Sequence, residues 1–336
     1  MQVTRLGRDK HKEWDELVDK CVYSTIFHRS LWLDTCARSL NRGLRIYACR
    51  ESGELVGGCS LYVHRSKGLR RAHSTVPLTP YGGVVLAQSE SANVRRREER
   101  QGSVIHSLQN AFESERFDYI QIVNPPGFVD VRPFAWNGWD TNVRYAYYFD
   151  LENYSQDVLS KEVRWTIRKA AENGVTVKKL DDPDISIYYR LLSMTFSRQN
   201  LKPPVSIEFL QEAVGLLNSK HAAEMWVAET ASGDVAAAEI IVLDVTRAYR
   251  WSAASHTDFK HTGATSLLLC EVFRELKRRG FKEIDLMAAN TPQLAKFVAG
   301  FNPALIPYYS VEKKTGLLKI SGIIHNATRD KWRGFH

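Results

Sequence analysis

The sequence is poor in the features that mark secreted, membrane-spanning and metal-binding chains. Its five cysteines, Cys21, Cys36, Cys49, Cys59 and Cys270, are odd in number and scattered, with no C-x-x-C pair. Zinc sites need paired ligand spacing, so reduced thiols are expected. No apolar run approaches the roughly 20 residues of a membrane-crossing helix, and Met1 to Lys10 lacks the apolar middle of a secretory signal. The expectation is a cytoplasmic protein with no integral membrane segment. Also missing are a Ser-His-Asp order, a nucleophile elbow, a P-loop and an H-E-x-x-H motif. Covalent hydrolases and metalloproteases require those parts. The ten histidines are dispersed, and the closest pair, His256 and His261, has no neighbouring Cys or Glu at ligand spacing, so no metal is expected.

What is present is an ordinary globular composition, with 44% hydrophobic and 25% charged residues. A length of 336 residues suits two cores better than one, because domains usually hold about 100 to 150 residues. Lys and Arg number 46 against 38 Asp and Glu, a formal charge of +8. That balance favours anionic partners such as phosphates, nucleotides, RNA or anionic lipid surfaces. A solvated basic surface gives the same total.

Two distant segments share one pattern. With Ala48 aligned to Ala228, the turn residues Ser52, Gly53 and Glu54 meet Ser232, Gly233 and Asp234, and apolar runs flank both. Each segment, Ile46 to Val56 and Met225 to Val235, reads as strand, turn and strand. Each is followed by a helical pattern feeding a strand: Val104 to Arg116 into Phe117 to Ile122, and Ser266 to Gly280 into Phe281 to Leu286. The first copy carries extra residues before its helix, the charged insertion Glu90 to Gln101. Leu268, Leu269, Val272, Phe273 and Leu276 form a stripe of helical period, and Gly280 suits the helix end. Helical candidates open both halves: Lys12 to Cys21 with Ser30 to Leu40, and Asp157 to Asn173 with Ile185 to Gln199 and Ile207 to Asn218. The fold predicted is α+β in two lobes, residues 1–153 and 154–336, each a mixed, mostly antiparallel sheet flanked by helices.

Four segments carry candidate chemistry. Lys260-His-Thr-Gly263-Ala264-Thr265 precedes the strongest helix, where terminal N–H groups can hold a phosphate; equally, Gly263 is a loop glycine and Thr265 or Ser266 a helix cap. Arg164 and Arg168 lie one turn apart on a helix ended by Gly174, either as a clamp for phosphate or carboxylate or as a solvated basic face. Tyr81-Gly82-Gly83 follows Pro80, so backbone can approach a ligand there, or form a bulge or turn. Asn290-Thr291-Pro292 opens a short helix holding Lys296, with Thr291 as cap and Pro292 in the first turn. Lys296 is suited to a developing oxyanion or to plain solvent exposure. Asp285, at the end of the preceding strand, is either a proton acceptor or a buried structural acceptor.

The order of these segments resembles the FemABX family and the related FemAB-like GNAT-fold acyltransferases, whose members carry two GNAT lobes in tandem. The resembling residues are Ile26-Phe27-His28 with Trp32, Pro80-Tyr81-Gly82-Gly83, Arg164-Trp165-Thr-Ile-Arg168-Lys169-Ala with Gly174-Val175, and Gly263 through Arg279-Gly280-Phe281 and Ile284-Asp285-Leu286 to Lys296-Phe297 and Gly300-Phe301, ending in the strand Leu305 to Val311. The phosphate loop departs from the family's R/Q-x-x-G-x-G/A pattern at Lys260 and Thr265. The resemblance implies metal-independent amide-bond formation, with an acyl or aminoacyl group moving from an acyl thioester such as acyl-CoA, or from aminoacyl-tRNA, to an amine on a small or peptide-like acceptor. No cofactor is held permanently. It places Lys296 and Asp285 at the reacting centre, Lys260, Gly263, Ala264 and Thr265 at the donor, and Tyr81, Gly82, Gly83, Arg164, Arg168 and Trp251 at the substrate, with Tyr81 to Gly83 lining a groove between lobes. Peptidoglycan-bridge members carry an R-G-P type sequence where this chain has Tyr81-Gly82-Gly83, which argues against a cell-wall precursor. The chain has no sustained heptads for a coiled-coil arm, which weakens tRNA as donor, whereas the positive charge favours it. An acetyl-CoA-dependent N-acetyltransferase and a non-catalytic RNA- or ligand-binding protein on a degenerate GNAT frame are the alternative readings.

Overall fold

The first strand, β1 (Gln2–Leu6), pairs antiparallel with β2 (Gly43–Glu51), and two helices, α1 (His11–Asp19) and α2 (Ser30–Ser39), occupy the chain between them. Ser52 and Gly53, both at positive φ, return β2 into the long β3 (Glu54–Ser66). Then come β4 (Leu69–His73), β5 (Gly83–Leu86), α3 (Val94–Ser114), β6 (Tyr119–Val123) and α4 (Arg132–Trp136). After β7 (Asp140–Asp150) the pattern starts again with α5 (Lys161–Glu172), β8 (Thr176–Leu180), α6 (Ile185–Ser197) and α7 (Ile207–Asn218). It continues through β9 (Ala223–Glu229), β10 (Val235–Leu243), β11 (Arg247–Ser255), α8 (Ala264–Arg278), β12 (Glu283–Asp285), α9 (Pro292–Ala299) and β13 (Ala304–Lys314). This computed structural model describes residues 1–315 apart from Glu90 and Gln199, so the first residue of the expected insertion and the last of one expected helix lie outside the described residues.

The chain divides into two units, Met1–Arg144 with the stretch from Pro307, and Tyr145–Ile306. The first division point falls inside β7, ahead of the expected boundary at residue 154. The second falls inside β13, which the sequence assigns to the second lobe and the fold gives to the first.

Each unit builds the same sheet. In the first, β1, β2, β3 and β4 run antiparallel, β4 pairs parallel with β6, and β6 pairs antiparallel with β13, while β5 adds to β3. In the second, β8, β9, β10 and β11 run antiparallel, β11 pairs parallel with β12, and β12 pairs antiparallel with β7. Two helices separate the first two strands in both units. The strand that ends each sheet is drawn from the other end of the chain's repeat, β13 in the first unit and β7 in the second. Among the described residues, helix α5 has no counterpart in the first unit.

The structure corrects the reading of Glu90 to Gln101. From Val94 onward this charged stretch is the first turns of α3, exposed on all sides and therefore without an apolar period to reveal it.

The core of the first unit packs the apolar face of α3 (Val104, Ile105, Leu108, Phe112) on Tyr47, Cys59, Leu61 and Ile122. At its edge the buried Glu115 carboxylate takes Arg5 of β1 and Arg45 of β2, with Arg70 of β4 at 3.6 Å, so one charge ties three strands. In the second unit the α8 stripe foreseen from sequence is fully buried, and Phe273 stacks on Phe149 of β7 at 4.2 Å. All five cysteines are buried free thiols. Among the described residues no helix is long and apolar enough to cross a membrane.

Candidate active site

In the second unit the parallel ladder between β11 and β12 covers Arg247–Tyr249 against Glu283–Asp285, while β11 continues to Ser255. Past the ladder the chain turns through Lys260–Thr262 into α8. Gly263 stands at the N-cap with φ +74° and no side-chain cap, so neither Thr265 nor Ser266 caps this helix. A Cβ on Gly263 would lie 2.8 Å from Thr166 Cγ2 and 2.9 Å from the Thr166 carbonyl oxygen on α5. Backbone conformation and contact distance both demand glycine at this position.

That contact sets the expected basic helix against the expected phosphate loop. Helix α5 also meets the end of α9, because the Ser160 amide donates to the Gly300 carbonyl at 3.0 Å and a Cβ on Gly300 would reach Val163 at 2.8 Å. Three of the segments singled out from sequence, the loop at Gly263, the helix of Arg164 and Arg168, and the helix of Lys296, thus meet around α5.

The side chains divide differently. Half-buried Arg164 donates to the Asp157 carbonyl at 3.0 Å, and exposed Arg168 faces Glu172 at 3.8 Å. The two guanidiniums turn to separate neighbours and form no shared clamp. Lys260 is exposed, and its ammonium pKa is lowered by partial burial and by the charge of Arg198. The first turn of α8 has no acidic residue, and Lys260 and Arg198 add positive charge to that of the helix start. Ala264 is buried and Thr265 half-buried.

Lys296 is exposed on α9, while the next residue, Phe297, lies against the core with its ring centroid 5.6 Å from the Arg250 guanidinium. Thr291 occupies the N-cap with Pro292 following, but it makes no side-chain cap bond. Asp285 is fully buried and accepts from the Met287 amide at 2.7 Å. Met287 and Ala288 both hold positive φ, +52° and +53°, a strained turn that non-glycine residues rarely adopt. This is the structural-acceptor position foreseen as the second reading of Asp285. The carboxylate fixes the turn that leads toward α9, and burial together with Asp285 pushes the Tyr148 hydroxyl far above its ordinary pKa.

Sequence reasoning missed a polar row on β11. Arg250, 8% exposed, grips Glu239 of β10, 1% exposed, through both carboxylate oxygens, one at 2.8 Å. Ser252 meets the hydroxyl of Tyr188 on α6. The pairing crosses a register shift between Ile240 and Ile241. The alternation of Arg250 and Ser252 around Trp251 is the signal that the sequence carries for this row.

The Tyr81-Gly82-Gly83 segment is packed within the first unit. Tyr81 is fully buried and packs edge-on against Tyr308 at 5.2 Å. A Cβ on Gly82 would sit 2.1 Å from the Ser74 carbonyl oxygen, and one on Gly83 2.5 Å from Asn124 Oδ1. The space that a side chain would need at these glycines is filled by the unit's own backbone and side chains. A cavity of about 540 Å³ in the same unit, lined in part by Tyr23, Leu86 and Arg97, includes none of the expected site residues.

Residues 159–293 match the family described as Acetyltransferase (GNAT) domain. The matched stretch lies wholly within the second unit. The chain also shares the fold of FemX, with a TM-score of 0.70 and 12% identity over 96% of this chain and 100% of that one. L-PGS from Bacillus licheniformis aligns with a TM-score of 0.58 and 12% identity, covering 95% of this chain and 96% of that one. A tandem GNAT protein from the clavulanic acid biosynthesis pathway gives 0.56 and 12%, covering 94% and 98%. The tandem GNAT fold therefore extends through both units, as the repeated strand order shows independently. No curated protein matches the chain. In the second unit the expected site residues outside α5 lie on β11, β12, α8 and α9, with Lys260 and Gly263 in the turn that enters α8.

Proposed function

We propose that this protein forms an amide bond by moving an acyl or aminoacyl group from an activated donor, an acyl thioester or an aminoacyl-tRNA, to an amine. The observation that carries the reading is Gly263: an obligatory glycine at the positive end of α8, beyond the short β11–β12 ladder, with Lys260 and Arg198 beside it. Amides at such a helix start and nearby cations suit the phosphates that an acyl-CoA or a tRNA 3′ end brings.

In the reaction the amine nitrogen attacks the donor carbonyl, an oxyanion develops, the C–S or C–O bond breaks, and the proton lost by the amine ends on the leaving thiol or hydroxyl. Lys296 supplies positive charge to that oxyanion. Asp285 acts as a positioning residue, holding the Met287-Ala288 turn ahead of α9. The Arg250–Glu239 pair fixes β11 beneath Phe297, the neighbour of Lys296. FemX and L-PGS among the similar folds, with the net charge of +8, support an aminoacyl-tRNA donor; the GNAT family match supports acyl-CoA.

The test is direct incubation of purified protein with acetyl-CoA or with charged tRNA, each with a panel of amines, and mass spectrometry for a new amide. Transfer from either donor supports the reading and selects the donor class. Stable binding of RNA or CoA with no transfer to any amine favours the non-catalytic alternative.

A further inference from the structure

The first unit holds a second concentration of cations, separate from the loop at Gly263. A cavity of about 340 Å³ opens where α1, α2 and the start of β2 meet, and its polar wall is Arg8, His11, Asp34, Arg38 and Arg42. Asp34 is the one carboxylate among the lining residues. It is already engaged by His11 Nδ1 at 2.9 Å and Arg8 Nε at 3.4 Å. Arg42, half-buried at the link into β2, is held by its amide bond to the Ala37 carbonyl at 2.7 Å.

Arg42 also joins this cavity to a row of nitrogens on β3 and β4. His64 sits opposite Arg71 in the β3–β4 register, and the rings of His64 and His73 stack at 5.4 Å. The charges of Arg42 and Arg71 act on both histidines, adding to burial in lowering their pKa values. Arg71 Nε is buried with no hydrogen-bond partner among the described residues. Cations gathered beside partly desolvated nitrogens repel one another unless an anion sits among them. Guanidinium forks match a phosphoryl group, and the volume reaches the lower end of small-molecule sites, about 300 to 1,000 Å³.

We infer that this cavity of the first unit is a binding site for a small phosphate-bearing molecule, with Arg8 and Arg42 as its anion-gripping residues. The site is independent of the donor loop and of the proposed transfer reaction.

Isothermal titration of the full chain with inorganic pyrophosphate and with AMP tests it, using Arg42→Gln and Arg8→Gln against a charge-matched control, Arg97→Gln on the exposed start of α3, with Lys260→Gln reporting separately on any binding at the donor loop. Saturable binding of either probe is expected, weakened about tenfold in each cavity variant and unchanged in Arg97→Gln, with thermal midpoints showing all four variants folded. AMP binding tighter than pyrophosphate assigns a nucleotide, and the reverse assigns a bare phosphate ligand. Absence of saturable binding overturns the inference. So does equal weakening by Arg97→Gln, or loss confined to Lys260→Gln. Arg42-dependent binding of a short RNA when neither small probe binds also overturns it.

Discussion

His28 Nε2 lies 2.8 Å from the carbonyl oxygen of Gly82. The contact joins the Ile26-Phe27-His28 segment to Pro80-Tyr81-Gly82-Gly83, two stretches of the family resemblance that lie far apart in sequence. Nδ1 of the same ring accepts the Thr25 amide at 3.1 Å, which leaves Nε2 as the donor to Gly82 and the ring neutral.

This arrangement predicts acid sensitivity. Burial lowers the His28 pKa from 6.5 to about 4, and His73 is likewise lowered to about 4. Between those values the unfolded chain binds protons that the folded chain refuses, so stability is fully present above pH 6.5 and falls as pH drops toward 4. The loss from His28 alone is on the order of 3 kcal/mol. Thermal midpoints measured across that window should fall for the native chain and fall less for His28→Gln; parallel curves would contradict the assignment.

Gly82→Ala places a methyl group 2.1 Å from the Ser74 carbonyl oxygen. Backbone meets backbone there, and no flexible side chain can yield. The expected outcome is a destabilisation of more than about 2 kcal/mol by urea unfolding, or no folded protein at all. A native-like midpoint would show that the turn is looser than described.

Arg250 and Glu239 form a buried pair in which each needs the other. Arg250→Met leaves a carboxylate in the interior and should cost about 3–5 kcal/mol, whereas Arg250→Met combined with Glu239→Leu should recover most of that loss. If the pair serves to position β11 under Phe297, the double variant regains stability but not turnover. Recovery of both would make it a purely structural pair.

Much of the architecture is legible in the residues, and the reasons for the rest are physical. The hairpin turns at Gly53 and Gly233 and the buried stripe of α8 announce themselves through local pattern, because turn conformation and helical period are properties of neighbouring residues. The helices α1, α2, α6 and α7 show as helical patterns opening the halves, but the matching of β1 to β8 is invisible, since exposed strands such as β8 carry little apolar alternation. The exchange of β7 and β13 depends on pairing across more than a hundred residues. Among site residues, Gly263 shows itself as a glycine before a strong helix, but its contact with Thr166 does not. Gly82 and Gly83 invite a ligand reading for the same reason, and there the structure supplies its own atoms. Arg250 and Glu239 are paired across a register shift that no spacing rule anticipates.

Lys296 is exposed, so Lys296→Ala should leave the thermal midpoint within about 0.5 kcal/mol of native stability and lower kcat by about tenfold or more. An unchanged kcat removes it from the reacting centre.

The most direct measurement is quantitative mass spectrometry of amide product from acetyl-CoA or aminoacyl-tRNA, comparing the native chain with folded Gly263→Ala. Crowding against Thr166 should displace the start of α8, so the prediction is product from the native chain and a loss of about tenfold or more in kcat/KM for the variant. Product formed equally by both, or by neither while the donor binds, would contradict acyl transfer at the α8 terminus.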